Sequence, residues 1–141
     1  MATALRHFIC SISTIPKSFK KSLRDTFECA DDPCLIWFNI RMPNVKLCLT
    51  TRNEELVSWA CFSHGKDIEP KIFAWTKSEH RKQGYATATL TYLMEQEGWR
   101  IRDRAVTAYN STIRTVLNRL GFSTDWTTTC LDKHGLIEYA I

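Results

Sequence analysis

The sequence predicts one α/β domain with a mixed, mostly antiparallel sheet of about six to seven strands and about four flanking helices. Residues 45–50 and 56–62 are two short apolar runs around a polar turn, a pattern typical of a β-hairpin. Residues 71–76 predict a strand that leads through a glycine into a helix, and then into another strand at 104–109. Because a strand, a crossover helix and a strand imply parallel pairing, the sheet should contain both kinds of strand pair.

The N-terminal third of the chain predicts a strand and two helices. Residues 6–13 fit the first strand. Pro16 suits the first position of a helix that carries apolar side chains at nearly every fourth position: Phe19, Leu23, Phe27 and Ala30. Asp32-Pro33 resembles a second helix start, with an N-cap followed by proline. The bulky run 34–40 also fits a strand, and we favour a short helix there.

Two further helices and a hairpin complete the predicted elements. The helix at 87–97 places apolar side chains on one face: Ala86, Leu90, Leu93 and Met94. The last helix starts at Asn110 or Ser111 and carries an apolar stripe at helical spacing: Ile113, Val116, Leu117 and Leu120. Residues 122–141 contain two apolar or β-branched runs around 132–135, which predict a second hairpin.

Composition excludes several classes of protein. The 141 residues suffice for one domain with its own core, and the 44% hydrophobic and 24% charged content is that of a globular domain. No apolar run is long enough to span a bilayer, and the N-terminus lacks the apolar stretch of a secretory signal. We therefore expect a cytoplasmic protein that does not bind membranes.

The cysteines, histidines and net charge limit the ligands that the chain can hold. None of the six cysteines forms a C-x-x-C pair, and the four histidines are scattered, so we expect buried or free thiols and no metal. A formal net charge of +4 suits a polyanionic ligand but does not require nucleic acid. Basic clusters at 17–24 and 100–104 are typical of solvated faces.

The stretch Arg81-Lys82-Gln83-Gly84-Tyr85-Ala86, between a predicted strand and a predicted helix, is the most informative in the chain. The first amides of a helix have no partners within the helix and carry the positive end of its dipole. Gly84 lets a ligand approach the backbone and can adopt angles closed to other residues. Arg81 and Lys82 add positive charge. Together these features predict a cradle for a diphosphate.

This stretch and a second element resemble the GNAT superfamily of acyl-CoA-dependent N-acyltransferases. Arg81-x-x-Gly84-x-Ala86 is similar to the family's R/Q-x-x-G-x-G/A coenzyme A signature. Asn110, the helix after it and Gly121-Phe122 are similar to a second family element, and the order of predicted elements matches the family's layout. The motifs cover about residues 56–122, and elsewhere the likeness is topological. The resemblance implies a GNAT-like fold whose central parallel strands are splayed to hold coenzyme A.

The resemblance also implies which residues hold the cosubstrate, acetyl-CoA. Beside Arg81, a run of backbone amides would bind the pyrophosphate: Lys82, Gln83, Gly84, Tyr85, Ala86 and Thr87. The backbone of the preceding strand would pair with the pantetheine arm: Ala74, Trp75 and Thr76. Asn110 would contact the arm from the other side. One backbone N–H of that strand would face the thioester carbonyl as an oxyanion donor.

The implied reaction is the direct attack of a neutral amine on the thioester in a ternary complex. A carboxylate often serves as the base in this family, and Glu69 lies one residue from its place in some members, with Glu54 and Glu55 as alternatives. Many members carry a tyrosine seven residues after the asparagine as the general acid. This chain has Leu117 there, and Tyr109 is the candidate substitute. Because a thiolate is a fair leaving group, we expect this loss to cost about 10²-fold in rate.

The acceptor is an amine on a protein or a small molecule, and Trp37, Phe38 and the turn at 52–55 lie where the family usually builds its acceptor pocket. Two other functions remain open. One is a non-catalytic module on the same fold, which the absence of the tyrosine motivates. The other is a small nucleic-acid-binding or protein-binding domain that uses its basic face, which would show steep salt dependence. A homodimer is expected by analogy with the family.

Overall fold

A computed structural model describes residues 4–26, 33–67, 69–80, 84–108, 111–125, 131–132 and 135–136. Within these residues six strands form one sheet in chain order: β1 Arg6–Ser11, β2 Val45–Arg52, β3 Glu55–Ser63, β4 Lys71–Thr76, β5 Val106–Ala108 and β6 Thr124–Asp125. The described α-helices are α1 Lys17–Arg24, α2 Pro33–Asn39, α3 Tyr85–Glu97 and α4 Ser111–Arg119. No helix in the described ranges has the length and apolar character needed to cross a membrane.

The sheet is mixed, as predicted. Strands β1 to β4 pair antiparallel, whereas β4 with β5 and β5 with β6 pair in parallel. A tight turn joins β2 to β3 through Asn53 and Glu54, whose φ angles are 52° and 66°. A two-residue hairpin turn with both φ angles positive has a twist that matches the flanking strands. The predicted α/β fold with its flanking helices is therefore confirmed.

Helices cover both faces of the sheet. Helices α3 and α4 bury one apolar face against β3 and β4: Leu90, Leu93, Met94, Ile113, Val116 and Leu117 pack on Phe62, Ile72 and Ala74. Helices α1 and α2 bury Leu23, Trp37 and Phe38 against the opposite face, where Trp59 and Phe73 lie. Because side chains alternate along a strand, β4 sends Ile72 and Ala74 to the α3/α4 face and Phe73 and Trp75 to the α1/α2 face.

Most predicted elements are confirmed, with shifts of a few residues. The strand predicted at 71–76 is β4, and the favoured short helix after Asp32-Pro33 is α2. The first strand is shorter than predicted, because a 3-10 turn at Ile12–Thr14 follows Ser11. Pro16 precedes α1 instead of opening it, since its ψ of 140° is extended and not helical. The predicted continuation of that helix to Ala30 lies partly outside the described residues.

The C-terminal tail contains the predicted hairpin. Two short strands, β7 Leu131–Asp132 and β8 Gly135–Leu136, pair antiparallel in a separate small sheet. The parallel pairing of β6 with β5 was not predicted. The stripe on α4 is buried as predicted at Ile113, Val116 and Leu117.

Candidate functional site

The central feature of the candidate site is the short pairing between β4 and β5. Among the described residues these strands pair only at Lys71 with Thr107 and at Ile72 with Ala108, and the Thr107 amide donates to the Pro70 carbonyl at 2.9 Å. Strand β4 then continues to Thr76, whereas the described part of β5 extends to Ala108. The cleft that the family resemblance implies between these strands would lie beyond Ile72, along the outer side of β4.

The backbone of β4 alternates between β3 and this cleft. The amide of Lys77 donates to the Val57 carbonyl at 2.8 Å, which sets the pattern of hydrogen-bonded pairs in the β3–β4 register. By that alternation, Trp75 exchanges backbone hydrogen bonds with Trp59. The backbone groups of Ala74 and Thr76 point to the opposite side, toward the cleft. Of the strand residues expected to face the pantetheine arm, Ala74 and Thr76 thus have the required direction, and the backbone of Trp75 faces β3.

Helix α3 begins next to the C-terminal end of β4. Gly84 precedes its first residue with a φ of 82° and a ψ of 9°, a left-handed conformation that favours glycine. The first helical hydrogen bond runs from the Ala88 amide to the Gly84 carbonyl at 2.9 Å. The amides of Tyr85, Ala86 and Thr87 precede that bond and have no partner within the helix.

The space at this helix start suits an anion. A Cβ atom placed on Gly84 would have no other atom within 4 Å, so the backbone there is open to a ligand. The first turn of α3 contains no acidic residue. The amides of a helix N-terminus attract negative charge. The expected pyrophosphate ligands Arg81, Lys82 and Gln83 lie outside the described residues.

A side-chain hydrogen bond links the β2–β3 hairpin to the start of α3. Arg52 donates through Nη1 to the hydroxyl oxygen of Tyr85 at 2.8 Å. The ring of His80 packs at 5.4 Å from the ring of Tyr85. These contacts hold the side chain of Tyr85 and do not involve its backbone amide.

A chain of polar groups lies beneath α3. His7 on β1 bonds through Nδ1 to the Thr50 hydroxyl at 2.7 Å, and Thr50 bonds to the Thr89 hydroxyl on α3 at 2.5 Å. The His7 ring also stacks on Tyr92 at 4.8 Å. These contacts fix α3 on the sheet. Sequence reasoning missed them, because each residue alone is an ordinary polar residue of a strand or helix.

Glu69 lies just before β4, next to the residues where β4 and β5 are paired. Its Oε1 accepts a hydrogen bond of 2.7 Å from the Thr107 hydroxyl, and its backbone carbonyl accepts one of 3.0 Å from the Ser63 hydroxyl. Thr107 is paired with Lys71 and follows Val106, which packs on the α3/α4 face, so Thr107 lies on the α1/α2 face. The Glu69 carboxylate is thus bound on the α1/α2 side of the sheet at the paired end of β4 and β5.

The alternative carboxylates lie at the opposite end of β4, a strand whose six residues span about 17 Å. Glu55 forms an ion pair with Lys77, which holds the pKa of that carboxyl below its usual value, and Lys77 also reaches Glu79 at 3.3 Å. Glu54 lines a cavity of about 500 Å³ with Ala4, Arg6, Thr51 and Asn53. Both glutamates therefore lie in or beside the hairpin turn and at the end of β4 away from Glu69.

The remaining predicted site residues fall in three places. Leu117, at the position of the usual tyrosine, is completely buried in the core between α3, α4 and the sheet. Trp37 lies on the α1/α2 face of β4, with its ring 5.2 Å from that of Phe73. Tyr109 and Asn110 lie outside the described residues.

Burial keeps two of the described thiols protonated. Cys10 and Cys48 form no disulfide, and Cys48 and Cys61 are buried. Burial raises the pKa of Cys10 to about 11 and that of Cys48 to about 12, so both stay protonated near neutral pH. No group of three potential metal ligands occurs in the part of the chain that the structure describes.

Solved structures of acetyltransferases share this fold. The ribosomal-protein-alanine N-acetyltransferase from Brucella melitensis biovar Abortus 2308 superimposes with a TM-score of 0.55 at 13% identity, over 89% of this chain and 96% of that chain. A predicted acetyltransferase with acetyl-CoA from Clostridium acetobutylicum gives a TM-score of 0.53 at 17% identity, over 85% and 90%. The aminoglycoside N-acetyltransferase AAC(6')-Iy in complex with CoA gives 0.51 at 12% identity, over 87% and 90%.

Sequence comparison adds no relative. No family model matches the chain, and no curated protein sequence matches it. At identities between 12% and 17%, the structural likeness shows the fold alone.

Proposed function

The chain has the fold of the GNAT acetyltransferases, and on that premise we propose that it is an N-acetyltransferase that uses acetyl-CoA in the cytoplasm. The acetyl group would move to an amine on a protein or a small molecule. The solved neighbours support this class of reaction, since they include a ribosomal-protein-alanine N-acetyltransferase, a predicted acetyltransferase with acetyl-CoA and an aminoglycoside N-acetyltransferase with CoA.

One observation carries the proposal: β4 links the expected cleft to the start of a helix. Among the described residues β4 pairs with β5 only at Lys71 and Ile72, and α3 begins at Tyr85 beyond the C-terminal end of β4. A long ligand with an anionic end and an amide-containing arm fits both features at once. The open space at Gly84 accepts the diphosphate, and the outward backbone groups of Ala74 accept the amides of the arm.

Each of the described residues would have its own role in binding or catalysis. The amides of Tyr85, Ala86 and Thr87 bind the diphosphate, while Ala74 and Thr76 orient the arm. Glu69 accepts the proton that the amine loses as its nitrogen attacks the thioester carbonyl. The carbon–sulfur bond then breaks and the thiolate leaves. Acetyl-CoA supplies the activated acyl group.

Five further residues belong to the proposal by resemblance to the family. Arg81, Lys82 and Gln83 would complete the diphosphate cradle, and Asn110 would contact the arm. Tyr109 would donate a proton to the leaving thiolate. An acid of this kind contributes about 10²-fold, so its role is secondary to the positioning of the amine.

A non-catalytic binding module is the second candidate, and Leu117 is the observation that favours it. The aliphatic side chain is fully buried and cannot donate a proton to a leaving group. A module that holds acetyl-CoA or a protein without transferring the acetyl group would retain the cradle and lose the acid. Both candidates predict that the chain binds acetyl-CoA, and only the enzyme would transfer the acetyl group.

Thermal unfolding tests the cofactor claim. Acetyl-CoA at about one hundred times its dissociation constant should stabilise the fold by about 2.7 kcal/mol and raise the melting temperature. Gly84→Glu should abolish this rise, because it places bulk and negative charge at the start of α3. The absence of any rise for the unmodified chain at millimolar acetyl-CoA would contradict the proposal.

Gly121→Glu is the matched control. Gly121 also has a positive φ, 88°, and is exposed, but it lies at the far end of α4. Both substitutions therefore impose the same kind of backbone strain and the same charge. The control should lower the melting temperature and keep the rise with acetyl-CoA. Equal loss of the rise in both variants would mean that strain, not the cradle, explains the effect.

Thiol release then separates an enzyme from a module. Unmodified chain, acetyl-CoA and amines from peptides, polyamines and aminosugars should liberate free thiol with at least one amine class. A chain that binds acetyl-CoA but releases thiol at the background rate with every class would support the module.

A further inference from the structure

A basic pocket lies between α1 and α2, away from the cleft. It encloses about 160 Å³ and is lined by Ile12, Ser13, Lys20, Arg24, Phe38, Asn39 and Arg41. Three of these side chains are cationic and none is acidic. Lys20 and Arg24 lie on α1, and Arg41 lies in the segment that follows α2. The fold therefore brings these three positive charges to one pocket.

These charges are not balanced within the described part of the chain. Helix α1 has the sequence KSFKKSLR, without an acidic residue. No ion pair among the described residues involves Lys20, Arg24 or Arg41. Like charges four residues apart on a helix repel each other, as Lys20 and Arg24 do. An anion in the pocket would relieve this repulsion.

The pocket is partly preorganised. The Arg24 guanidinium lies over the Phe38 ring, 5.2 Å from its centroid. Arg41 has a φ of 49°, in the left-handed region, and its amide donates to the Phe38 carbonyl at 3.2 Å. Phe38 of α2 thus contacts the side chain of Arg24 and the backbone of Arg41.

The size of the pocket and its apolar border indicate the kind of ligand. Small-molecule pockets usually have volumes of roughly 300–1,000 Å³. This pocket, at about 160 Å³, is smaller and suits one acidic side chain of a larger molecule. Beside it, Ile36 and Ile40 are 49% and 64% exposed and lie one helical turn apart. The aromatic residues Trp37 and Phe38 are buried and cannot stack on nucleic-acid bases. Exposed aliphatic groups beside cations match a peptide that is both acidic and apolar.

Helix α2 separates this pocket from the candidate site. On one side Phe38 lines the pocket, and on the other the Trp37 ring contacts Phe73 of β4 at 5.2 Å. The pocket and β4 are thus both in contact with one helix, whose diameter is roughly 10 Å. An extended peptide crosses that distance in about three residues.

We propose that the pocket formed by Lys20, Arg24 and Arg41 binds an acidic side chain of a protein acceptor. The acidic side chain lies about three residues from the amine that is acetylated. The site thus selects acidic, apolar protein segments. This inference rests on the proposed acetyl transfer for the role of the bound segment, but the binding itself does not.

Fluorescence anisotropy tests the binding directly. The probe is a labelled peptide with a free amino terminus, apolar residues next to it and glutamates about three residues along. A second peptide replaces the glutamates by glutamine. The glutamate peptide should bind at least about tenfold more tightly, since each charge-assisted hydrogen bond contributes substantially. Equal binding of the two peptides would overturn the proposal.

Two double variants of α1 separate the pocket from diffuse charge. Lys20→Gln with Arg24→Gln removes two charges that line the pocket, and Lys17→Gln with Lys21→Gln removes two that do not. The first variant should weaken peptide binding about tenfold or more, and the second by about twofold at most. Equal weakening would show non-specific attraction. Arg41→Gln, which leaves α1 intact, should also weaken binding if the pocket is the site.

Competition and ligand stabilisation complete the test. A single-stranded RNA of equal charge should displace the peptide poorly, and efficient displacement would overturn the proposal in favour of nucleic acid. The rise in melting temperature with acetyl-CoA is measured on the same variants. If the chain binds the peptide and acetyl-CoA does not raise its melting temperature, only the proposed acetyl transfer is contradicted. If acetyl-CoA raises the melting temperature and the peptide does not bind, only the proposed peptide pocket is contradicted.

Discussion

The hydroxyl of Thr107 donates a hydrogen bond of 2.7 Å to Oε1 of Glu69, next to the residues where β4 and β5 are paired. This bond holds the carboxylate at the paired end of the two strands. Thr107 itself is 5% exposed, so its position is set by packing. Of the carboxylates considered as a base, Glu69 is thus the one that is bound to β5.

Glu69→Gln should lower kcat/KM for acetyl transfer by about 10²-fold, because the amide keeps the contact to Thr107 but cannot accept a proton. The rise in melting temperature with acetyl-CoA should not change. Glu54→Gln is the control, since Glu54 is an exposed carboxylate at the other end of β4. Steady-state thiol release measures both variants. A larger loss in Glu54→Gln would assign the base to the hairpin turn.

Leu117→Tyr should not restore an acid catalyst. The side chain is fully buried between α3, α4 and the sheet, so a tyrosine there would overpack the core at a cost of about 1–3 kcal/mol. Urea unfolding should show the loss of stability, and thiol release should not increase. Leu117→Met, which conserves volume, is the control and should cost less than about 1.5 kcal/mol. Faster turnover in a stable tyrosine variant would place position 117 beside the thioester.

Gly98 and Gly84 should respond differently to alanine. A Cβ on Gly98 would lie 2.6 Å from Cζ of Phe122, so Gly98→Ala must displace that ring and should cost about 1–3 kcal/mol. A Cβ on Gly84 meets nothing, and only its positive φ opposes Gly84→Ala, at about 1 kcal/mol. Urea unfolding of both variants measures the difference. A second substitution, Phe122→Leu, should recover part of the stability lost in Gly98→Ala, and no recovery would contradict this explanation.

Acid should destabilise the fold partly through His7 and His64. Burial is the main cause that lowers the pKa of each imidazole, so the unfolded chain binds protons at a higher pH than the folded chain. Stability is therefore full above about pH 6.5 and falls as the pH drops below it. Melting temperatures from about pH 7.5 to 5 should fall less steeply in His7→Gln and least in the double variant with His64→Gln. An unchanged slope in the double variant would show that carboxylates alone cause the acid sensitivity.

The strands and helices could be predicted because local patterns specify them. The strand patterns at 45–50 and 56–62, with a polar turn between them, predicted the hairpin, and the apolar stripe from Ile113 to Leu117 predicted the buried face of α4. Gly84 was expected to adopt a conformation closed to other residues, and its φ of 82° confirms this. In each case a few neighbouring residues contain the whole signal.

Features that join distant elements could not be predicted from the sequence. The register of β4 against β5 depends on where Thr107 pairs with Pro70 and Lys71, and the apolar pattern of residues 104–109 does not reveal it. The bonds from His7 through Thr50 to Thr89 span three elements and more than eighty positions. The basic pocket likewise forms only when α1 packs beside α2, although the cluster at 17–24 was visible as charge.

The open side of β4 has a consequence for amide hydrogen exchange. The backbone groups of Phe73 and Trp75 point toward β3 and take part in its antiparallel hydrogen bonds. The Ala74 amide between them points toward the cleft. In the ligand-free chain, one strand should therefore alternate between slow and fast exchange from residue to residue. A ligand arm that pairs with Ala74 would act as one more strand and slow the exchange of that amide. The exchange rate of the Ala74 amide should thus report whether a ligand occupies the cleft, without any change in the fold.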